Sequence, residues 1–514
     1  MSATVPEGWA FTTLGDLSSY VTSGSRDWSK YYSNEGVLFI RTQDINQNKL
    51  TVLSDIARVA LPKQIEGKRT LTQQGDLLIT ITGANVGKCA YVDQLLPEAY
   101  VSQSIALVKL VDGLNGHFFH RQLMSPSTED ERTLLQRSAY GVGRPVLNLD
   151  NVKEVPLCIA PLSEQLRITA KVDDLLSHVD SARDHLSRVP AILKRFRQAV
   201  LAAACSGRLT EDWREVNRDT LDPLSDVFHQ NDGKGIGSRS ISDLDWTIPN
   251  LWRWTTLGDI AEVVGGITKG QKRRGNEKLR SVPYLRVANV QRGFIDLSEI
   301  KYIDATEQEI SDLRLLPGDI LFTEGGDRDK LGRGWVWNGE ISECIHQNHI
   351  FRARLRNDRI QGKLVSWFAN LVGQAYFIDE GKQTVNLASI NLRKLRAFPV
   401  PLVPANEQEE IVRRLESLFG LASTIEHHVS DATIRADKLT QSILGKAFRG
   451  ELVPTEAELA RREGRDYEPA SVLLERIKKQ REAEPAKSGS TTSKVAQKTK
   501  AVNASNRDRR QGRI

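Results

Sequence analysis

The apolar residues of this chain follow two different periods, which alternate along its length. Residues 1–158 and 248–401 contain short apolar runs that Gly, Asn and Ser interrupt. After each of these regions, apolar residues recur every three or four positions over roughly 40 residues. The first pattern predicts domains of mixed α/β structure with mostly antiparallel strands, and the second predicts long helices.

The two β-rich regions contain short elements of both kinds. Strands are expected where β-branched and aromatic residues cluster between turn-forming residues, and helices where the period changes to 3.6. The predicted strands lie at residues 36–41, 76–81, 99–102, 282–287 and 319–323, and the predicted helices of these regions lie at residues 116–124 and 361–372. A further short helix is predicted at residues 472–477, after the second long helix.

Each long helix carries a narrow apolar seam of the kind that pairs helices in a coiled coil. The seams are unequal, since Ala422 of the second helix stands where Val179 stands in the first. Unequal seams pack more readily on each other than on copies of themselves, although a helix lying alone on its own domain stays an alternative. The predicted seam residues are Val172, Leu175, Val179, Leu186, Leu193, Phe196, Leu415, Leu418, Ile425, Val429, Leu439 and Ile443.

Two polar residues and one proline predict where these helices begin and where the first of them is interrupted. Ser163 and Asn406 precede the first apolar positions and are predicted to be N-caps. Pro190 lacks the N–H that an inner helical turn uses, so it is predicted to interrupt and kink the first helix.

The chain also repeats itself at a single shift of 243 residues. Residues 6–16, 75–80, 164–168 and 207–209 return as residues 249–259, 318–323, 407–411 and 450–452. This period is far too long for a solenoid repeat, whose units span 20–50 residues. The repeat therefore predicts a pseudo-two-fold molecule, which is suited to holding two similar things at once.

Together, period and repeat predict an α+β protein in which two globular mixed α/β domains are separated by two long helices that form an antiparallel coiled coil. The predicted boundaries are a first domain at residues 1–158, a first long helix at 159–215, a polar linker at 216–247, a second domain at 248–401, a second long helix at 402–455, a C-terminal extension at 456–486 and a basic, disordered tail at 487–514.

Composition places the chain among cytoplasmic globular proteins. Of its 514 residues 39% are hydrophobic and 26% are charged, and the sequence contains no apolar run of the ~20 residues that a membrane span needs. The start of the chain lacks the basic and apolar segments of a signal peptide. The scattered residues Cys89, Cys158, Cys205 and Cys344 form no close pair for metal binding or redox chemistry.

The net charge of +6 hints at nucleic acid, but its position limits that inference. Residues 487–514 contain eight Lys and Arg residues and one Asp, a net charge of +7, so the rest of the chain sums to −1. Any basic surface on the folded part must therefore be local.

No motif predicts catalysis by this chain. The segment 83–89 resembles a phosphate-binding loop, but it has three residues between its glycines where four are needed, and Cys89 stands where the hydroxyl should be. An Asn- or Asp-Pro-Pro-aromatic motif and a convincing Asp with Glu-x-Lys set are both missing from the sequence, and the neighbours His427 and His428 point different ways on a helix. A binding protein is therefore favoured, while a self-contained methyltransferase or nuclease with divergent motifs, and a purely structural scaffold, stay as alternatives.

Polar and basic loops at matched positions of the two copies supply candidate DNA contacts. Arg, Lys, Asn and Gln can pair with base edges, and Lys and Arg also hold phosphates. The loops at 23–30 and 268–274 occupy the same place in their domains and differ strongly, which predicts an asymmetric target. The candidates are Ser25, Arg26, Lys30, Arg41, Gln43, Asn85, Lys88, Gln103, Arg144, Lys269, Gln271, Lys272, Arg273, Arg274, Arg286, Asn289, Arg328, Lys330, Arg333, Gln347, Asn348 and Lys382.

The combination of motifs resembles the DNA-specificity (S) subunit of a type I restriction-modification enzyme. Each copy opens with Pro-x-x-Trp and Leu-Gly-Asp, continues with Gly-Asp-Leu/Ile-Leu, and has Glu-Gln at the start of its long helix. The ends of the copies, with Gly-Arg-Leu at 207–209 and Gly-Glu-Leu at 450–452, fit the same pattern. The resemblance covers residues 6 to about 480 and leaves out the tail.

That resemblance implies a role in defence against foreign DNA. Each globular domain would be a target recognition domain that reads half of a bipartite site in double-stranded DNA, and the paired helices, ~60 Å long at 1.5 Å per residue, would set the gap. The helices would also dock two modification subunits that methylate adenine, joined by restriction subunits. The chain itself would be non-catalytic and hold no metal or cofactor, with S-adenosylmethionine, ATP and Mg²⁺ on its partners, and no membrane involved.

Overall fold

The computed structural model divides into two compact units, one comprising residues 1–184 and 433–514 and the other residues 185–432. None of the described helices has the length and apolarity that a membrane span needs. The structure describes residues 5–24, 28–46, 48–51, 53–61, 69–126, 132–141, 145–222, 246–268, 270, 277–326, 332–373, 376, 382–384 and 387–483. The predicted tail and most of the predicted linker lie outside these residues.

Two helices of 44 residues dominate the helical content. The described helices are α1 (Gly116–Leu123), α2 (Leu134–Arg137), α3 (Leu149–Lys153), α4 (Leu162–Cys205), α5 (Glu211–Val216), α6 (Leu257–Ile260), α7 (Glu307–Leu313), α8 (Gly362–Leu371), α9 (Leu392–Arg396), α10 (Ala405–Phe448), α11 (Glu456–Glu463) and α12 (Ala470–Ala483).

The strands are short and fall into the two predicted regions. The first region contains β1 (Ala10–Thr13), β2 (Ser18–Ser23), β3 (Tyr32–Ser33), β4 (Val37–Ile40), β5 (Ile45–Asn46), β6 (Lys49–Leu50), β7 (Ala57–Val59), β8 (Leu77–Thr80), β9 (Cys89–Tyr91), β10 (Ala99–Val101), β11 (Ile105–Leu110) and β12 (Pro156–Ile159). The second region contains β13 (Arg253–Thr256), β14 (Ala261–Gly265), β15 (Arg280–Leu285), β16 (Val290–Gln291), β17 (Phe294–Ile295), β18 (Lys301–Ala305), β19 (Ile320–Thr323), β20 (Gly325–Gly326), β21 (Gly334–Val336), β22 (Ile345–His346), β23 (Ile350–Leu355), β24 (Lys382–Thr384), β25 (Leu387–Ser389) and β26 (Pro399–Leu402).

The β-rich part of the first unit, called domain 1 below, is built from two four-stranded sheets. One sheet has the antiparallel order β2-β11-β8-β9, and the other has the order β10-β4-β7-β3, in which β10 and β4 are parallel. The first strand β1 pairs with the last strand β12, which closes the domain just before α4. The prediction of mostly antiparallel strands is thus confirmed.

The β-rich part of the second unit, called domain 2, repeats this plan. Its central sheet has the order β14-β23-β19-β21, and β13 pairs with β26 as β1 pairs with β12. A second sheet again contains one parallel pair, here between β15 and β22. The fold therefore carries the duplication that the 243-residue repeat predicts.

Within each unit, segments of the two long helices pack on each other in antiparallel directions. In the first unit Arg183 of α4 binds Asp437 of α10 at 2.6 Å, and Val172 shares a core cluster with Ile443. In the second unit the guanidinium Nη2 of Arg197 lies 2.9 Å from a carboxylate oxygen of Glu426. In both units, α4 residues with higher residue numbers contact α10 residues with lower residue numbers, as in an antiparallel pair. A coiled coil along the full length of the helices stays a prediction.

The predicted seam residues occupy different depths within their own units. Val172, Val179, Leu193, Leu415 and Ile443 are buried, whereas Leu439 is 51% exposed. The remaining predicted positions Leu175, Leu186, Phe196, Leu418, Ile425 and Val429 are half-buried.

Each long helix begins two residues before the position that its predicted N-cap implies. Both helices begin before the predicted caps, at Leu162 and Ala405, because the Pro161 and Pro404 carbonyls already accept the first helical N–H groups. The predicted N-cap roles of Ser163 and Asn406 are therefore wrong. Asn406 instead binds residues 220 and 222, at 2.9 and 3.2 Å.

The predicted interruption of the first helix at Pro190 is also wrong. Helix α4 runs through Pro190 without a break in its assignment. A proline removes one intrahelical hydrogen bond, and here the helical turns on both sides of the exposed ring continue the ladder.

A buried glutamate at the head of each long helix binds a tryptophan of the domain before it. Trp9 Nε1 donates to Glu164 Oε1 at 2.8 Å, and Trp252 Nε1 donates to Glu407 Oε2 at 2.9 Å. Both carboxylates are fully buried, and burial raises the pKa of Glu164. We call this contact the Trp–Glu lock.

The second oxygen of each carboxylate binds the chain that follows the other long helix. Glu164 Oε2 accepts from the backbone N–H of Glu456 at 2.8 Å, and Glu407 Oε1 accepts from Thr210 Oγ1 and Arg214 Nε, each at 2.8 Å. In each unit the lock therefore joins a domain, the head of one long helix and the segment after the end of the other.

A proline against a glycine closes the same junction. Gly207 and Gly450 both have φ of +74°, and a Cβ there would lie 2.3 Å from Pro249 Cγ and 2.5 Å from Pro6 Cγ respectively. These glycines end the long helices in the left-handed conformation that other residues adopt at a cost.

Gly450→Ala is expected to destabilise the first unit more than Gly464→Ala does. Gly464 also has positive φ, +64°, but a Cβ there would meet nothing within 4 Å. The backbone conformation alone costs about 1–2 kcal/mol, and the overlap with Pro6 adds about 1–3 kcal/mol. Urea unfolding of the full chain measures both, and equal losses for the two variants would show that the approach to Pro6 is not tight.

Candidate nucleic-acid interface

The first candidate group in domain 1 is a turn that an Arg–Asp pair holds. The backbone N–H of Arg41 donates to Asp44 Oδ2 at 2.8 Å, and the guanidinium of Arg41 binds both carboxylate oxygens at 3.1 Å. The side-chain hydrogen bond to Asp44 raises the pKa of Arg41, so the guanidinium stays charged. Gln43 lies exposed at the tip of this turn.

Domain 2 builds the same turn at a shift of 245 residues. The backbone N–H of Arg286 donates to Asn289 Oδ1 at 2.8 Å, and a two-stranded hairpin follows in both domains. The hairpin needs a positive φ at its bend, which Asn48 supplies at 59° in domain 1 and Gly293 at 87° in domain 2. The two domains therefore share a backbone here while their side chains differ.

A second turn lies beside the first in each domain. The N–H of Ser102 donates to the Ile40 carbonyl at 2.9 Å, and the N–H of Gln347 donates to the Leu285 carbonyl at 2.9 Å. These bonds place the exposed Gln103 next to the Arg41 turn, and the half-buried Asn348 next to the Arg286 turn.

The loop after the Gly-Asp-Leu/Ile-Leu strand is tied to the same place. Asn85 donates to the Thr42 carbonyl at 3.3 Å, and Arg333 donates to the Val287 carbonyl at 3.1 Å. Thr42 and Val287 are matched residues of the two Arg turns. Candidates that are far apart in sequence thus converge on one edge of each domain, which we call the turn cluster.

A glycine lies at the start of the divergent loop of each domain, close to the backbone of the second turn. A Cβ at Gly24 would lie 2.0 Å from the Val101 carbonyl oxygen, and a Cβ at Gly266 would lie 2.0 Å from the His346 carbonyl oxygen. Only glycine allows the chain to pass this close, so the loops that begin here start beside the turn cluster in both domains.

The electrostatic surroundings of the two clusters differ. In domain 1 the ammonium of Lys30 lies 5.2 Å from the ring centre of Tyr31. In domain 2 Arg286 binds Glu299 at 3.0 Å, and Lys301 and Arg286 lower the pKa of Glu299. Sequence reasoning missed a further contact there, between His349 Nδ1 and Glu324 Oε2 at 2.6 Å.

Asn289 has a structural role in this conformation. It is 3% exposed, and its side-chain amide donates to the Asp296 and Glu299 carbonyls at 2.8 and 3.0 Å. With Oδ1 already bound to the Arg286 N–H, the polar atoms of its side chain are engaged within the loop, and contact of Asn289 with a base stays a prediction.

The other candidates are only partly placed. Lys88 and Gln347 are half-buried near the turn clusters, and Lys382 has a described backbone in β24. The candidates outside the described residues are Ser25, Arg26, Arg144, Lys269, Gln271, Lys272, Arg273, Arg274, Arg328 and Lys330.

The segment that resembles a phosphate-binding loop is a hairpin connection. Residues 83–88 join β8 to β9, which pair antiparallel, whereas a phosphate-binding loop leads from a strand into a helix. Cys89 is fully buried, and burial raises the pKa of its thiol. Across the described ranges, no group of three His, Cys, Asp or Glu side chains is arranged to hold a metal ion.

A family model described as the type I restriction modification DNA specificity domain matches this chain twice, at residues 6–189 and 249–432. The chain belongs to this family. The second match begins and ends 243 residues after the first, so each copy of the repeat is one specificity domain with the first part of its long helix.

Named specificity subunits match nearly the whole chain. It is 30% identical to the EcoKI specificity subunit of Escherichia coli (strain K12) over 508 residues, which cover 95% of this chain and 98% of the relative. It is also 30% identical to the StySPI specificity subunit of Salmonella potsdam over 498 residues, which cover 93% and 96%.

A solved structure shares the fold of this chain. A chain from a study of complex assembly and conformational transition of the type I R-M system matches with a TM-score of 0.58 and 19% identity, covering 87% of this chain and 100% of that chain. At this identity the likeness concerns the fold alone.

Asn289→Ala is expected to destabilise domain 2 by about 2–3 kcal/mol, because buried backbone groups lose their partners. Gln43→Ala is the matched control in the domain 1 turn, where the exposed side chain predicts a change within about 0.5 kcal/mol. Urea unfolding measures both variants. Unchanged stability of Asn289→Ala together with an altered DNA sequence preference would instead show that Asn289 contacts a base.

Proposed function

We propose that this chain is the DNA-specificity subunit of a type I restriction-modification enzyme and that it reads an asymmetric bipartite site in double-stranded DNA. The observation that carries this proposal is the pair of turn clusters, which share a backbone plan inside two copies of the family's specificity domain. Residues 1–158 and 248–401 are then the two target recognition domains.

The differences between matched positions support an asymmetric target. Asn85 in domain 1 and Arg333 in domain 2 make the same backbone contact with different side chains. Gln43 and Ala288 occupy matched positions of the two domains, so a side chain with a hydrogen-bonding amide in domain 1 has an apolar counterpart in domain 2. Because the major groove presents a different donor and acceptor pattern for each base pair, unlike side chains on like scaffolds select unlike half-sites.

The long helices have the size for an assembly role. Each has 44 residues, and at 1.5 Å per residue this corresponds to about 66 Å, longer than the ~34 Å of one DNA turn. We propose that the helices set the distance between half-sites and dock two modification subunits and the restriction subunits in the cytoplasm. S-adenosylmethionine, ATP and Mg²⁺ then belong to those partners, and this chain supplies recognition without catalysis.

Mapping of methylated adenines tests this function directly. The chain is co-expressed with its modification subunit in a host without other adenine methylation, and the genome is sequenced for modified bases. The expected result is one motif of two different short half-sites with a spacer of fixed length. A continuous symmetric motif would contradict the proposal, and methyl transfer by the purified chain alone would favour the enzyme alternative.

The loop at 268–274 is expected to hold phosphates. Changing Lys272, Arg273 and Arg274 to Glu in the assembled complex should weaken DNA binding and reduce the slope of log affinity against log salt by about one to three. Lys478→Glu with Lys479→Glu, two exposed positions on α12, is the control. Unaltered affinity and salt slope in the triple variant would remove this loop from the interface.

A further inference from the structure

The second turn of the cluster contains a side-chain pair that only domain 2 has among the described residues. In both domains a backbone bond joins the turn to the residue after β8 or β19. The N–H of Ile81 donates to the Ser104 carbonyl at 2.9 Å, and the N–H of Glu324 donates to the His349 carbonyl at 2.9 Å. In domain 2 the side chains of these matched positions meet as well, with His349 Nδ1 at 2.6 Å from Glu324 Oε2.

This pair lies at a position from which a side chain could contact a DNA base. The N–H of Asn348 donates to the Ile267 carbonyl at 2.9 Å, and the divergent loop begins directly after Ile267. The imidazole of His349 is 54% exposed and Glu324 is 27% exposed, so the ring stands outward with the carboxylate behind it.

Stability alone does not explain the pair. Domain 1 folds the same turn with Ser104 and Ile81, using the backbone bond and no contact between these two side chains. A solvent-exposed hydrogen bond or ion pair of this kind contributes little, typically below about 1 kcal/mol. A carboxylate on a DNA-facing surface also meets phosphate repulsion, so its presence needs a reason other than the fold.

The chemistry of the pair supplies that reason. A carboxylate that accepts from Nδ1–H fixes the orientation of a histidine ring and, in the neutral form of the ring, the tautomer that leaves a lone pair at Nε2. An outward acceptor of this kind matches an exocyclic amine in the major groove, which adenine presents as N6 and cytosine as N4.

We propose that His349 reads a base in the half-site of domain 2 through Nε2, that the base is an adenine or a cytosine, and that Glu324 is the positioning residue of the ring. This assignment rests on the proposed function, because it requires that domain 2 faces DNA. Domain 1 has Ser104 and Ile81 at the matched positions, so the effect is confined to one half-site.

His349→Ala in the assembled complex tests the assignment. Binding and methylation are measured on a set of duplexes in which each base pair of the mapped site is changed in turn. Discrimination is expected to fall by about 5- to 150-fold at one base pair of the domain 2 half-site, where an adenine or cytosine is preferred. Preference at the domain 1 half-site is expected to stay unchanged, and Ser104→Ala is the matched control.

Variants of Glu324 separate orientation from folding. Glu324→Ala should relax the same base pair as His349→Ala, whereas Glu324→Gln, whose amide oxygen can still accept from Nδ1–H, should restore most of the discrimination. Thermal unfolding and assembly of each variant show that domain 2 is intact.

Several outcomes overturn the inference. Unchanged base preference in His349→Ala, relaxation at a base pair without an adenine or cytosine preference, or equal relaxation in both halves would each do so while the wild-type bipartite site stands. If the wild-type complex shows no bipartite preference, the proposed function fails instead, and the two results are distinguishable.

Discussion

The Trp–Glu lock is the contact on which each unit depends. A carboxylate without water is costly unless its oxygens are hydrogen-bonded, and Glu164 and Glu407 are fully buried. One oxygen binds the tryptophan that opens the domain, and the other binds the chain after the opposite long helix. Because a single buried carboxyl group holds three segments, removal of one partner leaves an oxygen unsatisfied and loosens all three.

This arrangement separates the residues that hold each unit together from the side chains that we propose contact DNA. The lock, the helix heads and the Pro–Gly closures occur in both units with nearly the same geometry. The turn clusters lie on other elements of each domain, where hydrogen bonds within the turns and between neighbouring turns define the backbone. Side chains such as Gln43, Asn85 and His349 can therefore vary without disturbing the junction, which is the property that a protein with two different half-sites needs.

Much of this plan was predictable because it follows from period and repetition. The Trp, Glu-Gln and Gly residues recur at a constant shift of 243, and the long helices show their apolar period directly. The matched turns, however, lie 245 residues apart, and the glycines at the start of the divergent loops lie 242 apart. An alignment at a fixed shift of 243 therefore pairs the wrong residues in these turns and loops. The packing of the seams was only partly predictable, since Leu176 and Leu444 are buried although they lie outside the predicted positions.

Individual side-chain roles were less accessible because they depend on three-dimensional partners. Asn289 has the composition of a base reader, yet its carbonyl partners at 296 and 299 come from the following hairpin and strand connection. The contact of Glu324 with His349 joins residues 25 apart that follow different strands. The helices begin before the predicted N-caps because the Pro161 and Pro404 carbonyls accept the first helical N–H groups. A sequence search for capping side chains passes over proline.

The central claim is that each copy of the repeat contributes one reader through its turn cluster. Photo-crosslinking of the assembled complex to duplexes with 5-iodouracil in one half-site at a time tests it most directly. We expect one half-site to crosslink to residues between 23 and 104 and the other to residues between 266 and 349. Crosslinks from both half-sites to a single domain, or to the long helices alone, would contradict it.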